Sequence, residues 1–236
     1  NVLTEKMEEG TESVKKYWHN KSEHNSYYLG DGTSLSLFER DDIGVDENGF
    51  GGVYRYFTYF CGFPGYKYAG KLMGLSAYGA ARNRYKDVHI FDLLPNGVVK
   101  CLVPDTDRLH SARVVEKWLK KQGVAIKARE PSEEMNEDIE DIAWLVQREL
   151  DRALLHKVKY LVEKTGIKNI CIAGGVGLNA VSNKFLLDHA GVDGIFIQPA
   201  AVYSGQCLGD AYYGLNEFDK KHAVRKPLPA YQGKEY

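Results

Sequence analysis

From Ser132 to Phe218 the apolar residues change their spacing repeatedly, and this alternation limits the fold more than any other feature of the chain. Ile139, Ile142, Val146, Leu150, Ala153 and Val158 recur at the helical period and mark one face of a long helix. Ser132 is its expected N-cap, Glu133 and Glu134 fall in the first turn where the helix dipole favours acid, and Gly166 is the expected stop. A short β-prone run, Ile170–Ala173, comes next, followed at once by Gly174-Gly175-Val176-Gly177-Leu178-Asn179 and a helix to about Leu187. A second such run, Gly194–Gln198, leads through Pro199-Ala200-Ala201 into a glycine-punctuated helix over Gly205–Phe218. Strands separated by a helix return in the same direction, so this order requires an α/β unit. Ile170–Ala173 and Gly194–Gln198 are expected to be neighbouring parallel strands, with the helix at about 177–187 as the crossover.

The earlier residues have a different texture, rich in Tyr, Gly and short apolar runs. Residues 1–25 read as a polar lead-in carrying His19 and His24. SYYLG (26–30) and SLSLFER (34–40) flank Asp31-Gly32, a hairpin signal. A polar loop is expected from Asp41 to Gly52. Val53, Phe57, Phe60 and Cys61 share one helical face, which predicts a buried helix over Tyr54–Phe63 that Pro64-Gly65 breaks. Tyr54, Tyr56, Phe57, Tyr59 and Phe60 read as core, and Tyr212 and Tyr213 as helix packing. Lys67–Leu75 is a second short helix, ended by Gly79. Val88–Leu94 and Val98–Val103 form a second hairpin through Pro95-Asn96-Gly97, and Ser111–Gln122 is a helix stopping at Gly123. Residues 26–218 are expected to form the lobe itself, and 219–236 a linker leaving it.

A net charge of −1 over 236 residues excludes the basic excess that nucleic acid or an acidic membrane surface asks for. No apolar run is long enough to span a bilayer. The N-terminus, NVLTEKMEEG, is polar and acidic rather than a signal peptide, and without an initiator Met it is expected to be a fragment boundary. Cys61, Cys101, Cys171 and Cys207 contain no C-x-x-C pair and are expected as small buried hydrophobes in a reducing cytoplasm.

A strand, a glycine turn and a helix start make an anion site by default, because unpaired backbone N–H groups and the helix dipole point at the ligand. Gly174, Gly175 and Val176 are the candidate cradle, with Gly205 after the second strand. Asn179 either faces the ligand with its amide or simply begins the helix. Gly175-x-Gly177-x-x-Ala180 fits the loose dinucleotide fingerprint, but no acid ends the next strand, which finishes at Gln198-Pro199, and no Walker lysine is present. Structural turn and nucleotide site both stay open on the pattern alone.

ICIAGGVGLN (170–179) and IQPAAVYSGQCLG (197–209) resemble the blocks A-G-G-V-x-L-N and Q-P-A-x-x-D-x-G-x-x-L-G of the O-carbamoyltransferase family, which modifies nodulation factors and some antibiotics. GKLMGLSAYG (70–79) is similar to the family's G-K-L-M-G-L-A-P-Y-G, Tyr54–Phe63 to its aromatic helix, and PAYQGKEY (229–236) to the stretch leading into its second domain. The resemblance runs from about residue 26 to the end. It implies a ribonuclease-H-like lobe of the actin, hexokinase and Hsp70 superfamily, a mixed sheet with flanking helices, followed in the whole protein by a YrdC-like domain. It also implies a reaction in which carbamoyl phosphate and ATP give carbamoyl adenylate, whose carbamoyl group passes to a substrate hydroxyl with the help of a divalent metal, iron or similar. The partners are then small molecules: carbamoyl phosphate, ATP and a hydroxyl acceptor. AMP would rest on Gly174, Gly175, Val176, Asn179 and Gly205.

The match departs from the family at the metal. The family's ligands are an H-x-x-x-H pair, an upstream Asp and the Asp of Q-P-A-x-x-D. No H-x-x-x-H occurs here, His19 and His24 read as surface residues, and Tyr203 stands where the last Asp is expected. A phenol that ionises near pH 10 is a poor ligand for a divalent metal at neutral pH. Tyr203 is expected to turn into the cleft, and Asp210, on the following helix, is no obvious substitute. Lys71 reads equally as a phosphate contact and as a solvated helix lysine. Two rivals stand beside the carbamoyltransferase reading: a phosphotransferase of the same superfamily, and a degenerate, non-catalytic nucleotide-binding module. The chain alone is expected to transfer no carbamoyl group.

Overall fold

In the computed structural model, which describes residues 21–32 and 34–218, helices and strands follow one another in the predicted order with their ends shifted. The chain is a mixed α/β protein whose described strands pair in three separate two-stranded sheets. It divides into two compact units. The first runs to Asp92 and resumes over Lys100–Val146; the second takes Leu93–Val99 and everything from Gln147 onward. His19 and the tail from 219 onward lie outside the described residues.

In the first unit, β1 (Lys21–Asp31) and β2 (Ser34–Gly44) form the hairpin that Asp31-Gly32 announces, antiparallel with Asp31 opposite Ser34. The strands reach further than predicted and take in part of both the lead-in and the Asp41–Gly52 loop. Consequently His24 is not on the surface. Its ring lies against Gly49, where any Cβ would collide with it, and its centroid is 6.4 Å from that of Phe50. Burial lowers the basicity of His24, and the nearby Asp41 carboxylate opposes that shift.

Helix α1 (Phe50–Phe60) begins four residues before the predicted start and buries Val53, Tyr56, Phe57, Phe60 and the following Cys61 completely. Its apolar face meets α3 (Ser111–Lys121), where the Phe57 and Trp118 rings pack edge to face at 6.4 Å. The fully buried Tyr56 hydroxyl donates to Asp105. Helix α2 (Ala69–Gly79) follows the Pro64-Gly65 break and a single 3-10 turn over Tyr66–Tyr68.

Between the units' segments, β3 (Phe91–Leu93) and β4 (Val99–Cys101) make the second hairpin. Asn96 and Gly97 both have positive φ, 58° and 67°, the type I′ geometry that matches strand twist.

The long helix, α4 (Glu137–Thr165), is 29 residues long. Its cap is Asn136 rather than Ser132: Asn136 Oδ1 accepts from Ile139 N at 3.1 Å, so Glu137, Asp138 and Glu140 occupy the first turn in place of Glu133 and Glu134. Arg82 pairs with Glu140 and Asp141 there, each at 2.6 Å. Gly166 ends the helix with φ 71°.

In the second unit, β5 (Asn169–Ile172) and β6 (Gly194–Ile197) are parallel neighbours in the register Asn169–Gly194 to Ile172–Ile197. Helix α5 (Ala180–His189) connects them. Leu186, Ala190 and Val192 are its buried centre, packed by Leu154, Val158 and Val162 of α4 and by Ile170, Ile172 and Ile195 of the strands. The strands' other face is open, with Phe196 47% exposed and Cys171 exposed. Of the four cysteines only Cys61 is fully buried; Cys101 is half-buried, and Cys171 and Cys207 are exposed, contrary to the expectation of four buried thiols. Helix α6 (Gln206–Phe218) closes the described chain, with Tyr213 68% exposed rather than packed.

Candidate functional site

Directly after β5 the chain makes a 3-10 turn over Gly175–Leu178. Gly174 starts it at φ 94°, ψ 167°, a conformation closed to residues with a Cβ. Its N–H donates to Ala201 O at 2.6 Å, tying the turn to the segment that follows β6. Its carbonyl accepts from Gly177 N at 3.0 Å. Gly175 and Val176, as the first residues of the turn, have no acceptor within it for their N–H groups. Gly174 and Gly175 are exposed and Val176 half-buried, so the turn that carries these two amides lies at the surface of the unit. A Cβ at Gly175 would meet only Val202 Cγ1, at 3.8 Å. Gly177 is buried for packing: its Cβ would lie 3.0 Å from Ile172 Cγ2.

Asn179 is the N-cap of α5. Its Oδ1 accepts from Ser182 N at 3.0 Å, its Nδ2 donates to Gln147 Oε1 at 3.0 Å, and it is 8% exposed. Asn179 thus begins the helix, and its side-chain amide is hydrogen-bonded into the interior of the unit. Gln147, Asp151 and Ser182 complete a buried cluster around it that sequence reading did not identify. Burial raises the Asp151 carboxyl above its usual range, while hydrogen bonds from Ser182 and Gln147 oppose the rise.

Beyond the turn, a groove of about 550 Å³ runs along the end of β6 and the start of α6. Ala173, Phe196, Pro199, Val202, Leu208 and Tyr212 supply its apolar walls, and Gln198 and Gln206 its polar groups. Gly205 lines it too, and belongs there for a steric reason: a Cβ would run into the Ala200 carbonyl oxygen. The turn and the groove adjoin through the Gly174–Ala201 hydrogen bond and Val202.

Tyr203 opens a short 3-10 turn over Tyr203–Gly205 and is 93% exposed, so the expected inward orientation is corrected: nothing in the turn holds the ring. Asp210 is also exposed, on α6. Among the described residues no group of three His, Cys, Asp or Glu side chains is placed to hold a metal ion. Lys71 lies in the first unit on α2, exposed, with its ammonium 4.9 Å from the centre of the Tyr68 ring. No helix among the described residues is long and apolar enough to cross a membrane.

The family profile described as carbamoyltransferase N-terminus matches residues 11–212. An uncharacterised protein of Synechocystis is 30% identical over 179 residues, 74% of this chain and 29% of its own length. The nodulation protein NolO of Bradyrhizobium diazoefficiens is 30% identical over 67% of this chain and 27% of its own length. The nodulation protein NolNO of Sinorhizobium fredii is 30% identical over 69% of this chain and 22% of its own. The chain thus spans less than a third of the length of these relatives.

Proposed function

The chain belongs to the carbamoyltransferase N-terminal family, and on that premise we propose that it is the nucleotide-holding part of an ATP-dependent O-carbamoyltransferase, a ribonuclease-H-like lobe on which carbamoyl adenylate rests. The observation that carries this reading is the pair of amides at Gly175 and Val176, next to an apolar groove. Backbone N–H groups at a glycine turn suit a phosphate, since they donate without a side chain between. The AMP phosphate sits on the amides of Gly175 and Val176 beside Gly174, whose own N–H is taken by Ala201 O, and the nucleoside lies toward the groove past Val202 and Gly205. Gln198 and Gln206 are the polar groups within reach of its base or ribose.

In the reaction the acceptor hydroxyl adds to the carbamoyl carbon, the C–O bond to the AMP phosphate breaks, and the acceptor's proton leaves. This chain's part is to hold the leaving AMP, whose developing charge the turn's amides stabilise. No catalytic acid or base is assigned. Among the described residues the donors do not fit a divalent metal, because Tyr203 is a solvent-facing phenol and no carboxylate or imidazole cluster accompanies it there. No step is therefore routed through a metal, and carbamoyl transfer is a property of the longer protein, not of this chain alone.

Calorimetric titration with AMP tests the site. Gly175→Glu adds an anionic side chain over the amides at a position with ordinary backbone and free space. AMP affinity should fall at least tenfold, about the value of one lost hydrogen bond to a charged group, with thermal stability unchanged. Wild-type affinity in Gly175→Glu would remove the turn from consideration. With carbamoyl phosphate, ATP and a metal, the chain alone should release phosphate only at the background rate.

A further inference from the structure

Two residues of α4 turn polar side chains into the interior of the second unit, one helical turn apart. Gln147 is 0% exposed and Asp151 5%. Such groups are retained in a core only when their hydrogen bonds are made, and here several of them reach the start of α5. Gln147 Nε2 donates to Asp151 Oδ1 at 2.9 Å and to Ser182 Oγ at 3.0 Å. Ser182 Oγ donates to Asp151 Oδ1 at 2.5 Å, and Asn179 Nδ2 to Gln147 Oε1 at 3.0 Å. Asn179 then caps α5 through Ser182 N, and its own N–H donates to Val176 O at 3.0 Å, inside the glycine turn. Asn183 adds a clamp from the other side, its Nδ2 donating to Gly177 O at 2.8 Å.

The turn itself has little to hold it. Gly174 and Gly175 are exposed and carry no side chain, so neither packing nor rotamer preference locates their backbone. What locates them is the Gly174–Ala201 and Gly177–Gly174 hydrogen bonds on one side and the Asn179 cap with the Asn183 clamp on the other. The cap stands on Gln147 and Asp151.

We propose that Gln147 and Asp151 are positioning residues for the glycine turn, acting through Asn179 and Ser182 to set where the Gly175 and Val176 amides point. The inference rests on the reading of that turn as the phosphate site. Neither residue touches the ligand. Their contribution is pre-organisation: a turn already in its binding conformation loses less entropy when the phosphate arrives.

The experiment compares Gln147→Leu, Asp151→Asn and Ser182→Ala with Leu186→Ala in the full-length protein. Leu186→Ala serves as a control that opens a cavity in the same core without touching the network. AMP affinity is read by calorimetry, and amide hydrogen exchange at Gly177 and Asn179 by mass spectrometry or NMR. Gln147→Leu should lose about tenfold in AMP affinity, one buried hydrogen bond's worth, and its turn amides should exchange about tenfold faster. Asp151→Asn keeps an oxygen for both donors and should stay within about twofold of wild type, the conservative rescue that a lost bond does not allow. Ser182→Ala should fall between them. Leu186→Ala should lower the melting temperature while leaving AMP affinity and relative exchange in the turn unchanged. The proposal is overturned if Gln147→Leu lowers the melting temperature like Leu186→Ala but leaves affinity and turn exchange at wild-type values. Absence of AMP binding by the wild type would instead discard the phosphate reading, and the exchange rates would still decide whether the network holds the turn.

Discussion

Adjacent glycines at the start of the turn should respond oppositely to the same methyl group. Gly174 has φ 94° and ψ 167°, and nothing lies within 4 Å of a Cβ built on it. Gly174→Ala is therefore not a clash; its cost is torsional, about 1–3 kcal/mol for a Cβ-bearing residue held in that region. Relief by rotation would disturb two backbone hydrogen bonds, Gly174 N to Ala201 O at 2.6 Å and Gly177 N to Gly174 O at 3.0 Å. Each is worth about 1 kcal/mol, so whether the strain is kept or relieved the loss is about 1–3 kcal/mol. Gly175 does not have a positive φ, and its Cβ would make an ordinary 3.8 Å contact with Val202. Gly175→Ala should be neutral or stabilise by up to about 1 kcal/mol, through the smaller entropy of the unfolded chain. The two variants should separate by roughly 2 kcal/mol, or about 4–8 °C in melting temperature at 2–4 °C per kcal/mol for a chain of this size. Thermal and urea unfolding followed by circular dichroism measures it. Coincident curves for the two variants would refute the assignment of strain to Gly174.

Asp151→Asn should make stability less dependent on pH. Burial raises the folded-state pKa of Asp151 above the usual 3.8, so its ionised form opposes folding at neutral pH, and that opposition fades as pH falls through the raised value. Asp151→Asn should thus be at least as stable as wild type at pH 7, with its advantage shrinking toward pH 4; a pH-independent difference in urea midpoints would contradict this. Native protein should expose Cys171 and Cys207 to a thiol reagent and withhold Cys61, whose thiol burial pushes up, until unfolding; Cys101, pushed up to about 12 by burial, should react slowly. Titration with a colorimetric disulfide reagent counts them, and rapid labelling of Cys61 would show the first unit's core to be open. Tyr203→Asp should change stability by less than about 0.5 kcal/mol, since a ring 93% exposed has almost no packing to lose. A large fall in urea midpoint would mean that the ring packs inside.

Local chemistry made much of the fold legible. Asp31-Gly32 and Asn96-Gly97 each dictate a turn whose positive φ the structure displays. Gly166 stops α4 as expected, whereas α1 ends at Phe60, three residues short of the expected Phe63, with Cys61 as its cap and Gly62 at φ 79° in place of a stop at Pro64-Gly65. The α1 face read from Val53, Phe57 and Phe60 is the buried face. Cap position was less legible. Ser132 and Asn136 are both competent N-caps four residues apart, and the choice of Asn136 comes with Arg82, far upstream in sequence, pairing with Glu140 and Asp141 in the first turns of α4. The cysteines depart from expectation for a related reason. An apolar neighbourhood in sequence is not burial when strands alternate faces: Ile170 and Ile172 pack toward the core, so Cys171 between them faces out.

Asn179 carries the point further. Its place in the strand–turn–helix motif is legible, and so is its role as the first residue of a helix. What it faces depends on Gln147, 32 residues upstream, and on Asp151, whose partner Ser182 is 31 residues downstream. A motif match transfers residue identity and backbone shape, but not the direction of a side chain. The family's glycine and asparagine therefore keep the shape of the anion cradle for reasons visible in this chain. Gly174 is required by φ, Gly205 by the Ala200 carbonyl and Asn179 by the α5 cap; on the proposed reading, ligand contact falls to the amides of Gly175 and Val176. In a motif of this kind the residues most strictly required are those that shape the backbone, while the atoms that meet the phosphate are backbone N–H groups that any amino acid except proline would supply.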